Sequence, residues 1–166
     1  MLHTIIYLVG TSVLLTCFFF LSLLEFGSLT SLVTLRLDEN DLSGYLPTEI
    51  GLMGESLNVL DISMNHPING SIPSEIGMLK GLSHFFAYQT HIHGAVPMEV
   101  AGLATNGNLD HFHMQETLLY GTIPQEMCSI ELITFDCGTH LCGCDCSCGH
   151  QHVTLSVNCA ETPEKC

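Results

Sequence analysis

The chain has 166 residues, of which 46% are hydrophobic and 12% are charged. Its 3 Lys and Arg stand against 17 Asp and Glu, so the formal net charge is -14. This length suits one domain, and this charge excludes the basic surface that nucleic-acid binding requires.

Residues 1–25 form a hydrophobic leader. Residues 5–24 carry no charge, and a helix of that length at about 1.5 Å per residue covers roughly 30 Å, the thickness of bilayer hydrocarbon. A cleaved signal peptide begins with a cation and ends at a small-x-small site, and this leader has neither. We therefore expect an uncut signal anchor in preference to a cleaved signal peptide. Basic residues do not set the orientation, since Arg36 is the only one near the leader; we expect the rest of the chain on the extracytoplasmic side, anchored in the membrane or secreted.

An internal repeat occupies the middle of the chain. Four segments align, and they begin at Leu32, Leu57, Leu82 and Leu109. Their second apolar position recurs in steps of 25, 25 and 27 residues, at Leu35, Leu60, Phe85 and Phe112. Apolar residues at L-x-x-L-x-L with a period of this length predict a solenoid whose turns share one continuous core.

Alternate residues of each repeat are expected to point inward from a short strand, and the strands of successive turns are expected to pair in parallel. The inward pairs are Leu35/Leu37, Leu60/Ile62, Phe85/Ala87 and Phe112/Met114. Asn40 and Asn65 lie where the chain leaves the sheet, and a buried amide there can hydrogen-bond the adjacent turn. Thr90 and Thr117 replace them in the later repeats, so we expect a weaker hydrogen-bond ladder there.

Each repeat continues with a proline that is followed two residues later by a glutamate. The prolines are Pro47, Pro73, Pro97 and Pro124. A proline in the first helical position loses only an N–H that is unpaired there, and the carboxylate favours the positive end of the helix dipole. The pattern predicts a short helical segment that starts at each proline.

The consensus L-x-x-L-x-L-x-x-N-x-L-x-G-x-[IL]-P-x-x-[IL]-G resembles the plant-type leucine-rich repeat over residues 29–127. The resemblance implies an α/β-type repeat solenoid, a right-handed superhelix with a parallel concave sheet and short 3-10 or helical segments on its convex side. It also implies that the concave face binds a protein, a peptide or a glycan. We place the solenoid at residues 26–136, with about four repeats and a partial one.

The outward residues of the predicted sheet form three rows, Thr34/Val59/His84/His111, Arg36/Asp61/Phe86/His113 and Asp38/Ser63/Tyr88/Gln115. Exposed aromatic side chains are typical of recognition surfaces. The candidate ligand-binding residues are Asp61, His84, Phe86, Tyr88, His111 and His113. Alternatively, these side chains only stabilise neighbouring strands. With 10 His in the chain, we also expect association to depend on pH near the ordinary histidine pKa of about 6.5.

Residues 137–166 form a cysteine-rich cap or tail. The cysteines from residue 128 onward are Cys128, Cys137, Cys142, Cys144, Cys146, Cys148, Cys159 and Cys166. Two chemistries compete, namely structural disulfides that close the end of the last repeat and a thiolate cluster for soft metal ions, which the C-x-C steps favour. Because of the leader we expect disulfides, with open pairing, and no metal. This end of the chain resembles that of short secreted diatom-type leucine-rich repeat proteins.

The sequence contains no glycine-rich phosphate loop, no G-x-S-x-G and no H-E-x-x-H, which are common signatures of catalytic sites. We therefore predict a non-enzymatic, extracytoplasmic binding module for cell-surface recognition or adhesion, without a cofactor. The expected partners are a protein, a peptide or a glycan, no nucleic acid, and the membrane through residues 5–24 if the leader is not cleaved. The alternative function is metal binding or thiol redox chemistry by the cysteine-rich tail.

Overall fold

The computed structural model describes residues 4–7, 31–106, 108–135 and 141–142. Its strands are β1 (Thr4–Tyr7), β2 (Leu32–Arg36), β3 (Gly44–Tyr45), β4 (Val59–Asp61), β5 (Ile68–Gly70), β6 (His84–Phe86), β7 (His91–Gly94), β8 (His111–His113), β9 (Leu118–Leu119), β10 (Gly121–Thr122), β11 (Leu132–Thr134) and β12 (Leu141–Cys142). Its helical segments are the 3-10 helices η1 (Thr48–Met53), η2 (Ser74–Met78) and η3 (Gln125–Ser129) and the α-helix α1 (Met98–Thr105). Each repeat thus contributes one strand to a main sheet, one short strand to a flanking sheet and one helical segment.

The main sheet is parallel, with the strand order β1-β2-β4-β6-β8-β11. Its register aligns the rows Thr34/Val59/His84/His111 and Arg36/Asp61/Phe86/His113. The predicted parallel pairing and these two outward rows are therefore confirmed. The last strand, β11, continues both rows with Leu132 and Thr134, so the partial fifth repeat also belongs to the sheet.

The core lies behind the main sheet and consists of the inward residues of every turn. All eight predicted inward residues are at most 2% exposed. Phe85 and Phe112 stack edge to face in adjacent turns, with ring centroids 5.8 Å apart. One continuous cluster of buried side chains runs from Leu32 to Phe135, which confirms the shared core of a solenoid.

Asn65 joins two turns of the solenoid through its side-chain amide. The amide oxygen accepts the Leu42 N–H at 3.0 Å, and the amide nitrogen donates to the carbonyl of Leu37 at 2.9 Å, both in the preceding turn. In the third and fourth repeats, Thr90 and Thr117 donate to carbonyls three residues earlier in their own turn. At Thr90 and Thr117 a hydrogen bond within one turn thus replaces the bonds between turns that Asn65 makes. This agrees with the weaker hydrogen-bond ladder that we expected for the later repeats.

The flanking sheet explains the glycine that precedes each proline motif. Strands β3, β5, β7 and β9 pair in parallel, and Gly70 ends β5 with a φ of 82°. A Cβ atom at Gly70 would come within 2.4 Å of the Tyr45 ring. Both the left-handed backbone and this close approach favour glycine here.

The prolines lie one residue earlier than predicted. Pro47, Pro73 and Pro97 have extended ψ values of 143°, 141° and 143° and directly precede their helical segments. The reason is that the chain arrives from the flanking sheet and stays extended through the proline before it turns. Each glutamate remains in the first helical turn, where its negative charge interacts favourably with the positive end of the helix dipole.

The two ends of the chain lie largely outside the described residues. Of the predicted membrane segment 5–24, residues 5–7 belong to β1, which pairs with β2, and residues 8–24 are outside the described ranges. Among the residues that the structure does describe, no helix has the length and apolar character needed to span a bilayer. The backbone of Cys128 lies in η3 and that of Cys142 in β12. The other predicted disulfide cysteines, and any pairing among the eight, lie outside the described residues.

Candidate binding site on the main sheet

The candidate site lies on the outer face of strands β6 and β8. In both strands the central phenylalanine is buried and the residues on either side are half-exposed. This alternation places His84, Phe86, His111 and His113 on the face opposite the core, because successive residues of a strand point to opposite sides. The sheet therefore presents four rings side by side on adjacent strands.

These four rings, which we call the ring patch, are in mutual contact. His84 stacks on His111 with ring centroids 4.4 Å apart and an interplanar angle of 9°. Phe86 meets His113 edge to face at 4.9 Å. Contacts along each strand close the patch, at 5.8 Å between His84 and Phe86 and at 5.9 Å between His111 and His113. The sequence-predicted residues of the third and fourth repeats are thus brought together.

Tyr88 lies two residues beyond Phe86 on the third outward row. It is half-exposed, and its carbonyl accepts the Met64 N–H at 2.9 Å. The residue next to it on this row, Gln115, accepts a hydrogen bond from the Thr134 hydroxyl. Tyr88 therefore extends the exposed aromatic surface toward the end of the strands where the chain leaves the sheet.

Asp61 was predicted to contact a ligand, but the structure buries it. The residue is only 3% exposed. One carboxylate oxygen accepts the backbone N–H of Ser63 at 3.1 Å and the Ser63 hydroxyl, and the other lies 3.3 Å from the Arg36 guanidinium. A buried carboxylate needs such partners to offset the loss of its hydration. Asp61 thus belongs to an internal network at β2 and β4.

Two imidazoles of the ring patch, His84 and His113, resist protonation. The pKa of His84 is lowered from its ordinary value by burial and then by His111, while Asp110 and Glu131 act in the opposite direction. The pKa of His113 is lowered by burial, then by His111 and His84, with Asp61 opposing. At neutral pH these two side chains are therefore neutral.

The polar atoms of the imidazoles are only partly engaged. His84 Nδ1 lies 2.6 Å from the Ser83 hydroxyl, which fixes the ring orientation. Within the described part of the chain, His113 Nε2 is buried without a hydrogen-bond partner. A neutral imidazole has one donor and one acceptor nitrogen, so this nitrogen is left without a hydrogen bond in a buried position.

The histidines of the ring patch are stacked. His84 and His111 present their ring faces to one another at an interplanar angle of 9°. Among the residues that the structure describes, no group of three or more His, Cys, Asp or Glu side chains could hold a metal ion.

Two carboxylates that border the site, Asp110 and Glu131, were not predicted from the sequence. Asp110 and Glu131 directly precede the outward positions of β8 and β11 and act on the charge of His84. They fall outside the three predicted rows because they stand one residue before the alternation begins. The signal was present, since both precede an outward residue of an aligned repeat.

Comparison with known proteins gives one curated relative and many similar structures. No family model matches the chain. A stretch of 57 residues is 44% identical to the receptor kinase-like protein Xa21 of Oryza sativa subsp. japonica and covers 34% of this chain but 5% of that protein. Whatever Xa21 does as a whole protein, the shared part is a small fraction of its length.

The solved structures share the fold over most of the chain. The BIR2 ectodomain from Arabidopsis thaliana superposes with a TM-score of 0.62 at 30% identity, covering 70% of this chain and 60% of that one. The ectodomain of the receptor kinase SOBIR1 from the same plant gives 0.65 at 25% identity, with coverages of 72% and 65%. The plant peptide hormone receptor RGFR1 in complex with RGF2 gives 0.60 at 28% identity, with coverages of 72% and 18%. The repeats, their parallel register and these likenesses together show that this chain has the leucine-rich repeat fold of the plant type.

Proposed function

We propose that the chain is a non-catalytic binding module that recognises a protein or peptide partner on the extracytoplasmic side, at the cell surface. The binding surface is the outer face of the main sheet, centred on the ring patch and Tyr88. Aromatic side chains supply a large contact area at a small cost in conformational entropy, which makes them typical anchors of interfaces. The observation that carries the proposal is the cluster of four half-exposed rings on β6 and β8.

A purely structural role explains this cluster less well. Cross-strand pairs of aromatic residues stabilise a sheet by only about 0.2–1 kcal/mol each. The buried rings of Phe85 and Phe112 already join the same two strands from the core side. The outer rings remain half-exposed, so part of their apolar area is still available for burial by a partner.

The comparisons support a protein or peptide as the partner. Besides RGFR1 with RGF2, the similar structures include the ectodomain of GASSHO1/SCHENGEN3 in complex with CASPARIAN STRIP INTEGRITY FACTOR 2 and the BIR3–SERK2 complex. The ectodomains among the similar structures support the extracytoplasmic location that we expect for this chain.

The experiment is a selection of short random peptides, displayed on phage, against the immobilised full chain. We expect enriched peptides that bind the wild-type chain and lose binding to the double variant Phe86→Ala/Tyr88→Ala. Met98→Ala is the matched control, because Met98 is an exposed apolar residue at the start of α1, away from the main sheet. Peptides that bind the Phe86→Ala/Tyr88→Ala chain as well as the wild type would contradict the proposed surface.

A further inference from the structure

We propose that the ring patch binds a cationic peptide segment, with Arg or Lys side chains lying over the rings between two acidic borders, and that protonation of the imidazoles releases it. This inference rests on the proposed function and names the chemistry of the partner and the regulation of the same site. It is carried by the charges around the patch, the half-exposed rings and the spacing of the histidines.

The charge around the patch is almost entirely negative. Residues 31–135 contain twelve Asp and Glu but only two cations, Arg36 and Lys80. Arg36 lies 3.8 Å from Asp38 and 3.3 Å from Asp61, and Lys80 donates to the carbonyl of Gly77 beside η2. Both cations are therefore already paired, with Arg36 two strands away from Phe86 on the same outward row, and the surface attracts a ligand of positive charge.

Carboxylates stand at both ends of the strands that carry the patch. Asp110 and Glu131 lie where β8 and β11 begin, and Glu116 lies beyond the end of β8, where its carboxylate accepts a hydrogen bond from Gln89 at 3.0 Å. A peptide that crosses the patch along the strand direction passes from one acidic border to the other. This arrangement fits a segment with cationic side chains on either side of a central contact.

The rings themselves complement a guanidinium or ammonium group. A cation over an aromatic face is attracted by the electrons of the ring, and a planar guanidinium also stacks on it. The patch offers the half-exposed rings of Phe86 and of the imidazoles beside it. A neutral imidazole also has a nitrogen that can accept an N–H donor, whereas a protonated one has none.

Protonation would reverse the charge of the patch because the three imidazoles are so close. His111 stands between the other two, at 4.4 Å from His84 and 5.9 Å from His113. Asp110 and Glu131 partly compensate a charge on His84, and Asp61, already paired with Arg36, partly compensates a charge on His113. A bound cation adds to the repulsion among the imidazoles, so acidification disfavours the complex.

The test begins with the same peptide selection and then measures charge and pH dependence. We expect the enriched peptides to contain more Arg and Lys than the starting library. The most enriched peptide is then synthesised with a fluorophore, and its binding to the full chain is measured by anisotropy at about pH 7.5 and about pH 5, where binding is expected to weaken about tenfold or more. Replacing the Arg and Lys of the peptide with Gln is expected to abolish binding at both pH values.

Two pairs of variants assign the effects to the patch. His84→Gln/His113→Gln removes two titrating groups and is expected to flatten the pH dependence, whereas His91→Gln/His93→Gln on the exposed flanking strand β7 leaves it unchanged. Asp110→Asn/Glu131→Gln is expected to weaken binding at neutral pH, whereas Glu99→Gln, on the exposed first turn of α1, does not.

The outcomes separate this inference from the proposed function. Peptides that depend on Phe86 and Tyr88 but show no excess of Arg or Lys would overturn the cationic partner and leave the binding surface intact. Equal binding at both pH values, or a pH dependence that follows His91 and His93, would overturn the release by protonation. Failure to obtain any peptide that depends on Phe86 and Tyr88 would overturn both the inference and the proposed function.

Discussion

Replacement of Asn65 by alanine should destabilise the solenoid more than any comparable change at the same repeat position. Asn65 is completely buried; its amide oxygen accepts the Leu42 N–H, and its amide nitrogen lies 2.9 to 3.0 Å from the carbonyls of Leu37, Ile62 and Ser63, which share its two hydrogens. The alanine variant leaves the Leu42 N–H without this acceptor in a buried position. An orphaned buried donor costs about 1–3 kcal/mol, and each lost bond adds about 0.5–1.5 kcal/mol where the carbonyl has no other partner.

The carbonyls share this loss unequally. Leu37 O keeps a bond from Asn40 at 3.0 Å, and Ser63 O keeps one from Glu39 N–H at 3.2 Å. The main losses are therefore at Leu42 N–H and Ile62 O, and we expect Asn65→Ala to lower the free energy of unfolding by about 3 kcal/mol. Thr90→Ala is the matched control, since Thr90 occupies the same position of the next repeat, is equally buried and donates a single bond to Ala87 O; its expected cost is about 1 kcal/mol.

Urea denaturation of the full chain, followed by circular dichroism, measures both values. With a slope of about 2 kcal/mol per molar urea, the midpoint should fall by about 1.5 M for Asn65→Ala and by about 0.5 M for Thr90→Ala. Equal shifts for the two variants would refute the reasoning, because they would show that the cross-turn amide contributes no more than a local hydroxyl.

Three further predictions concern close packing, pH and the cysteines. Gly77→Ala should destabilise the chain by several kcal/mol in the same assay, because the added Cβ would lie 2.5 Å from Glu99 O. The control is Gly102→Ala, whose Cβ would meet no atom within 4 Å outside the backbone of its own helix. This variant should stabilise α1 by up to about 1 kcal/mol. The pKa values of His84 and His113 are lowered in the folded chain, so the unfolded chain binds protons first as the pH falls. The free energy of unfolding should therefore decrease as the pH drops below about 6.5. His113→Gln should make this decrease smaller, and an unchanged decrease would contradict the prediction. Alkylation of residues 26–166, which contain eight cysteines and are expressed through a secretory route, should detect free thiols by mass spectrometry only after reduction, whereas thiols freed by a chelator alone would support the metal-binding tail.

The repeat period predicted the main sheet to the level of individual rows. Once L-x-x-L-x-L is recognised, the parallel register follows, because a strand pairs with the equivalent residues of the next turn. The stacking of His84 on His111 was therefore predictable as a neighbour relation. Its 9° interplanar angle was not, since that depends on the Ser83 hydroxyl and other atoms that the pattern does not describe.

Contacts between residues at different positions of the repeat could not be predicted from the sequence. Asp61 stands on an outward row but is buried, because Arg36 on the neighbouring strand and Ser63, two residues later in the same turn, both contact its carboxylate. The turn residues Glu39, Met64, Gln89 and Glu116 all have φ between 54° and 57°. None of them is the glycine or asparagine that marks such a backbone in a sequence, so the repeated left-handed turn is visible only in the structure.

The strands of the main and flanking sheets follow one another in chain order. The position of the ring patch along the sheet can therefore be changed by inserting whole turns. Its four rings come from one uninterrupted stretch, residues 84–113, on two adjacent strands. Duplicating residues 57–81, one full turn, would insert a strand before β6 and move the patch about 4.8 Å along the sheet. Every contact within the patch would be retained. The distance between the ring patch and the Arg36–Asp61 pair is thus set by the number of turns between them.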